Sequence, residues 1–142
     1  MLKHISILAV IMLFGLGIGY ANQGTRKVVI PVEKTSPADA KQMYNGYCAP
    51  CHGVDGRGTG PVAGQLKRAP TDLTVLARSN DGRFPELHVV SVLRFGNAVP
   101  AHGTAGMPVW GQVLANMDAV NSDLTDLRIS NLTRYLESLQ RK

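Results

Sequence analysis

The chain has two cysteines among its 142 residues, both within one four-residue window. A disulfide framework is therefore excluded, since a bridge between residues three apart closes too short a loop to stabilise a fold. A structural zinc site on paired Cys-x-x-Cys motifs is disfavoured as well, because the second pair is missing and His88 and His102 are irregularly placed. There is one tryptophan, aromatics make up 6% of the chain, and no basic-aromatic motif occurs, so a nucleic-acid partner is not expected. No segment alternates polar and apolar residues with period two, which argues against a sheet. The glycine-rich stretch 53–64 lacks the lysine-hydroxyl pair of a phosphate loop, and no strand precedes it. Charge is only mildly unbalanced, 15 Lys+Arg against 10 Asp+Glu for a net +5, and the length suits one domain.

What the chain does contain is Cys48-Ala49-Pro50-Cys51-His52. Two thiols three positions apart, with a histidine directly after the second, form the attachment pattern for a c-type haem. The thiols reach the two vinyl groups as thioethers, and the histidine is held beneath the iron. A thioredoxin-like redox pair would need a βαβ context, and none is legible around this motif.

The N-terminus reads as a targeting segment. Met1-Leu2-Lys3-His4 is a short basic start, residues 5–18 are apolar and uncharged, and Gly19-Tyr20-Ala21 offers small residues at the −3 and −1 positions of a cleavage site. Residues 1–21 are expected to be a secretory signal. The alternative is an uncleaved anchor associating with the inner membrane, since the run is just short of the roughly 20 apolar residues that span a bilayer. Residues 22–35 read as a linker or exposed extended arm. Residues 36–142 form the remaining domain, too small for a large core of its own, so a buried haem would sit at its centre.

Along that domain the pattern is helical throughout. Ser36 as N-cap and Pro37 at the first helical position open a helix through residues 38–47 that runs into the motif, with Ala40, Met43, Tyr44 and Tyr47 on one face. A Gly/Pro loop follows. Residues 71–78 suit a short helix with Leu73 and Leu76 inward. Residues 85–95 suit another, with Leu87, Val90 and Leu93 on one face and Gly96 ending it. After a second irregular loop, residues 97–106, comes Met107-Pro108-Val109-Trp110-Gly111 and a helical segment near 112–116. The last helix starts at Ser122 or Asp123, with Leu124, Leu127, Leu132, Tyr135, Leu136 and Leu139 as its expected buried face.

Motif and element order together make residues 36–140 resemble a class I cytochrome c: a helix into Cys48-Ala49-Pro50-Cys51-His52-Gly53, a Gly/Pro loop, middle helices, Met107-Pro108-Val109-Trp110, and a last helix ending Tyr135-Leu136-Glu137-Ser138-Leu139. The resemblance implies an all-α fold of about four to five helices around one covalent haem c, with the first and last helices crossing. It implies Cys48 and Cys51 as thioether positions, His52 as the proximal iron ligand and Met107 as the distal one. It further implies the Pro61 carbonyl as hydrogen-bond acceptor for His52, and Tyr135 as the partner of Ala40 and Tyr44 at the helix crossing. The family usually has glycine at the position of Ala40. Arg94 and Trp110 are candidates to hydrogen-bond a haem propionate, the alternatives being an exposed arginine and a packed indole.

His/Met ligation leaves no open position on the iron and raises its potential, which suits a carrier rather than an enzyme. His102 is the rival distal ligand, and Met43 and Met117 read as packing. Lys67, Arg68, Arg78 and Arg83 are either a basic rim that steers redox partners or ordinary solvated charge. The expectation is a periplasmic, single-haem electron carrier of a respiratory chain. Its redox partners would be a membrane oxidase, a quinol-oxidising complex or a periplasmic dehydrogenase. Two alternatives stand beside it: a membrane-anchored electron-entry subunit of an oxidase or dehydrogenase complex, and a haem enzyme or sensor with an open distal site.

Overall fold

The computed structural model describes residues 32–96, 107–117 and 122–141. The expected signal at 1–21, the second loop and His102 lie outside the described residues. Among those residues the fold is helical, with no strand.

Asp39 starts the first helix. Its carboxylate accepts the Gln42 amide at 2.8 Å and caps α1, Ala40–Met43. Ser36 was the expected cap, but it lies one turn earlier, where its carbonyl accepts from the Asp39 amide and its hydroxyl from the Ala38 amide. The Ser36-Pro37 pair therefore makes the turn that delivers the chain to Asp39. From Tyr44 to Cys48 the helix widens into a π-helical stretch, and the Ala49 amide bonds back to the Tyr44 carbonyl. It tightens again as α2, Ala49–His52, which ends at Gly53 with φ of +79°. A left-handed residue of that kind is most readily glycine.

The stretch from Gly53 to Phe84 carries only short 3₁₀ turns, at Ala63–Gln65, Leu73–Val75 and Arg78–Asn80. Leu73 and Leu76 pack inward as expected, although from tight turns rather than from a regular helix. Helix α3 is Glu86–Phe95, closed by Gly96; α4 is Trp110–Met117; α5 is Ser122–Ser138.

Helix α5 packs against α1, α3 and α4. The core unites Met43, Tyr44 and Tyr47 with Val89, Leu93, Trp110, Leu114, Ile129, Leu132 and Leu136. Tyr44 and Tyr135 meet with ring centroids 5.2 Å apart, so the first and last helices touch at the expected pair.

One expected residue on each of two helices is not buried. Leu87 is exposed, whereas Leu93 is buried and Val90 packs against the core as expected, with Val89 added to that face. Leu127 is exposed, whereas Leu132 and Leu136 are buried as expected, and Arg128 beside Leu127 is fully buried. Packing against the neighbouring helices sets where each face ends.

The segment just before α1 is also not a free arm. The Tyr47 hydroxyl donates to the Glu33 carbonyl at 2.8 Å and accepts from the Thr35 amide. Arg128 donates to the Thr35 hydroxyl at 3.1 Å, and Asn131 to the Pro37 carbonyl at 2.9 Å. These bonds pin residues 33–37 to the π-helical stretch and to α5.

Candidate functional site

The site is assembled at the end of the widened first helix. Cys48 and Cys51 lie three positions apart on a continuous helical path, so both thiols share one face. They are not joined to each other. Burial pushes the Cys48 thiol up to about 12, with the neighbouring Cys51 adding to the shift, and burial raises Cys51 as well. Reactive redox cysteines have lowered pKa values, so this pair lacks the electrostatics of a thiol–disulfide catalyst.

His52 ends α2, and its Nδ1 lies 2.9 Å from the Thr71 carbonyl oxygen. A carbonyl can only accept, so Nδ1 carries the proton and Nε2 is left with its lone pair. Burial pulls the imidazole below its ordinary value, with the Thr71 bond opposing. The ring is thus a neutral, oriented base whose free nitrogen is suited to a metal.

The acceptor is a correction to the sequence reading, which assigned it to Pro61. Pro61 is exposed at the start of the loop, and the backbone there bonds elsewhere: the Val62 amide to the Pro50 carbonyl at 3.0 Å, and the Gly60 amide to the Cys51 carbonyl at 3.1 Å. Gly60 packs so closely under α2 that a Cβ there would stand 2.5 Å from the Ala49 carbonyl oxygen and 2.7 Å from the Cys51 carbonyl carbon. Drawn under the helix, this strand of the loop carries the chain onward, and the later residue Thr71 reaches the imidazole. No side-chain signal in the sequence marks a backbone carbonyl of this kind; Pro70 before it is the only hint.

The remaining expected residues are spread around the fold. Met107 lies three residues before α4 and is 37% exposed. Trp110 is buried in the core and stacked on Tyr47 with ring centroids 5.4 Å apart. Arg94 directs its guanidinium to Asp126 at 3.0 Å, because α3 lies against α5. Met43 is fully buried, and Met117 packs against the core, so both serve as packing. Lys67, Arg68, Arg78 and Arg83 are all exposed.

Among the described residues no three His, Cys, Asp or Glu side chains gather as a metal-ligand group, and no helix is long and apolar enough to cross a membrane. The donor set nevertheless fits a covalently attached haem: two unbridged thiols on one helical face, followed by a neutral imidazole whose Nδ1 is occupied and whose Nε2 is free to ligate. No family model, curated protein or solved structure matches this chain.

Proposed function

We propose that the chain is a single-haem c-type cytochrome that carries one electron at a time, with the haem attached at Cys48 and Cys51 and ligated by His52 and Met107. The observation that carries this reading is the Cys48-Ala49-Pro50-Cys51-His52 run on one helical path, with the imidazole held by Thr71. When bound, the haem supplies a ferric/ferrous couple, and its potential depends on the axial ligands and their surroundings.

The protein's part is to hold and tune that group. Cys48 and Cys51 anchor it from one helical turn. His52 offers Nε2 in a fixed tautomer, and the Thr71 carbonyl increases the basicity of that nitrogen. Met107 would bring a soft thioether that favours the reduced state, and Pro108 restricts the backbone that presents it. With His52 and Met107 both offered to the iron, the chain would leave no open position there, and its residues would hold the group rather than catalyse a reaction on it.

The N-terminal pattern at residues 1–21 supports export to the periplasm, where the partners would be membrane or soluble redox proteins. A subunit anchored through that segment would perform the same chemistry in a permanent complex.

Intact mass and optical spectra of protein from a host that matures c-type cytochromes test the proposal. One covalent haem and a thioether-to-iron band lost in Met107→Ala are expected. A mass without haem overturns the reading. A spectrum untouched by Met107→Ala overturns the distal ligand, and tight carbon monoxide binding by the reduced wild type would favour a sensor or enzyme.

A further inference from the structure

The last two described residues of the chain converge on the loop that carries Thr71. The Arg141 amide donates to the Thr74 carbonyl at 2.9 Å, its Nε to the Thr74 hydroxyl at 2.7 Å, and its outer guanidinium nitrogen to the Asp72 carboxylate at 3.1 Å. The Gln140 amide group donates to the Leu73 carbonyl at 2.7 Å and accepts from the Ala77 amide at 2.9 Å. Gln140 and Arg141 thereby grip every residue from Asp72 to Thr74, as well as Ala77.

The loop is tied from its other side too. The Leu73 amide bonds to the Gly56 carbonyl at 2.7 Å, and Gly58, at φ of +81°, sits directly against the Pro70 carbonyl. Asp72 closes the turn by accepting from the Thr74 amide at 2.9 Å and hydroxyl at 2.6 Å. Thr71 is exposed and belongs to no regular element, so nothing in its own side chain places its carbonyl. Its position is set by the residues that fasten Asp72–Thr74 on one side and Pro70 on the other.

Resting on the haem-binding reading above, we infer that Gln140 and Arg141 are positioning residues for the axial histidine, acting through the Thr71 carbonyl. The chemistry is that of an outer partner on a metal-bound imidazole. A well-placed carbonyl acceptor on Nδ1–H raises the donor strength of Nε2 and orients the ring. Stronger donation favours the ferric state, so a loosened clamp raises the midpoint potential. The residues just past α5, far from the motif in sequence, thus set the potential of the site.

The test uses the haem-loaded full chain as wild type, Gln140→Ala, Arg141→Ala, Arg141→Lys and Arg134→Ala. Arg134 lies on α5, two turns before Arg141, and donates to Ser130, so its removal subtracts the same charge without touching the loop. The midpoint potential is expected to rise in Gln140→Ala and Arg141→Ala, with faster exchange of the His52 Nδ1 proton by NMR. Arg141→Lys should return part of the shift by restoring charge beside Asp72, and Arg134→Ala should match wild type. Gln140→Ala reads the same effect should Arg141→Ala not accumulate. Potentials and His52 resonances indistinguishable from the Arg134→Ala control, in protein whose mass shows the haem attached, overturn the clamp while leaving the haem reading intact. A mass without haem overturns both.

Discussion

Removing one oxygen atom from Tyr44 tests how the first helix is joined to the turn that leaves the motif. The side chain is fully buried, and its hydroxyl donates to the Gly53 carbonyl at 2.7 Å. Deleting a donor usually orphans a buried acceptor, at a cost of about 1–3 kcal/mol. Here the Gly53 carbonyl also accepts the Gly56 amide at 3.1 Å, so it keeps a partner. The expected loss for Tyr44→Phe is therefore the net worth of one hydrogen bond, about 1 kcal/mol. Tyr44→Ala also removes the ring packed on Tyr135 and should cost about 3–5 kcal/mol, as for other aromatic truncations in cores.

The same variant makes a pH prediction. Burial first, then the charge of Cys48 while its thiol is free, and the charges of Tyr135 and Asp55, lift the Tyr44 phenol well above its ordinary 10.0; burial and the latter two remain once the haem is attached. The folded phenol stays neutral where the unfolded one ionises. Its contribution is thus complete below about pH 10 and is lost as pH rises further toward the folded value. Phenylalanine cannot ionise, so the stability gap between wild type and Tyr44→Phe should shrink above pH 10. Urea midpoints of the haem-loaded proteins across pH 7–11 measure both effects. A Phe variant as damaging as the Ala variant, or a gap that stays constant to pH 11, would refute the reasoning.

Three further outcomes follow from the packing. Gly60→Ala places a methyl against the backbone of Ala49, Pro50 and Cys51, none of which can rotate away. It should destabilise by about 1–3 kcal/mol or more and lower the fraction of chains carrying haem, read by denaturation and intact mass; wild-type stability would contradict the close approach. The Asp72 carboxyl is held below its usual range, first by the Thr74 hydroxyl, then against the opposing effect of burial by the Thr74 amide and the Arg141 and Arg57 charges. Its contribution is present above the unfolded carboxylate pKa and is lost as pH falls through the folded one. Asp72→Asn should flatten the acid limb of a stability–pH curve, and an unchanged limb would count against it. Leu132→Ala, at 1% exposure, should cost about 2–5 kcal/mol, whereas Leu87→Ala, at 85%, should stay within about 0.5 kcal/mol of wild type by denaturant midpoint.

The helices were legible because their signals are local. Pro85 and Gly96 bracket α3, Ser122 begins α5, and apolar residues recur at helical spacing between such marks. The buried faces were legible in part: Leu93, Leu132 and Leu136 are buried as their spacing implies, but Leu87 and Leu127 fit the same spacing and are exposed, and only contact with a neighbouring helix distinguishes the two outcomes. Arg128 lies inside despite its charge, donating a hydrogen bond to the hydroxyl of Thr35, from a segment that reads as a plain linker.

By itself the sequence determined the donor chemistry of the site, two thiols and an imidazole in adjacent register, and the helices that carry them. These are properties of residue type and short spacing, which the chain cannot lose on folding. Only the tertiary structure decided which backbone carbonyl holds His52 and what holds that carbonyl. Every residue has a carbonyl, so sequence cannot single out Thr71 over Pro61. The choice arises where Gly60 passes beneath α2 and where Gln140 and Arg141, at the far end of the chain, close on Asp72–Thr74.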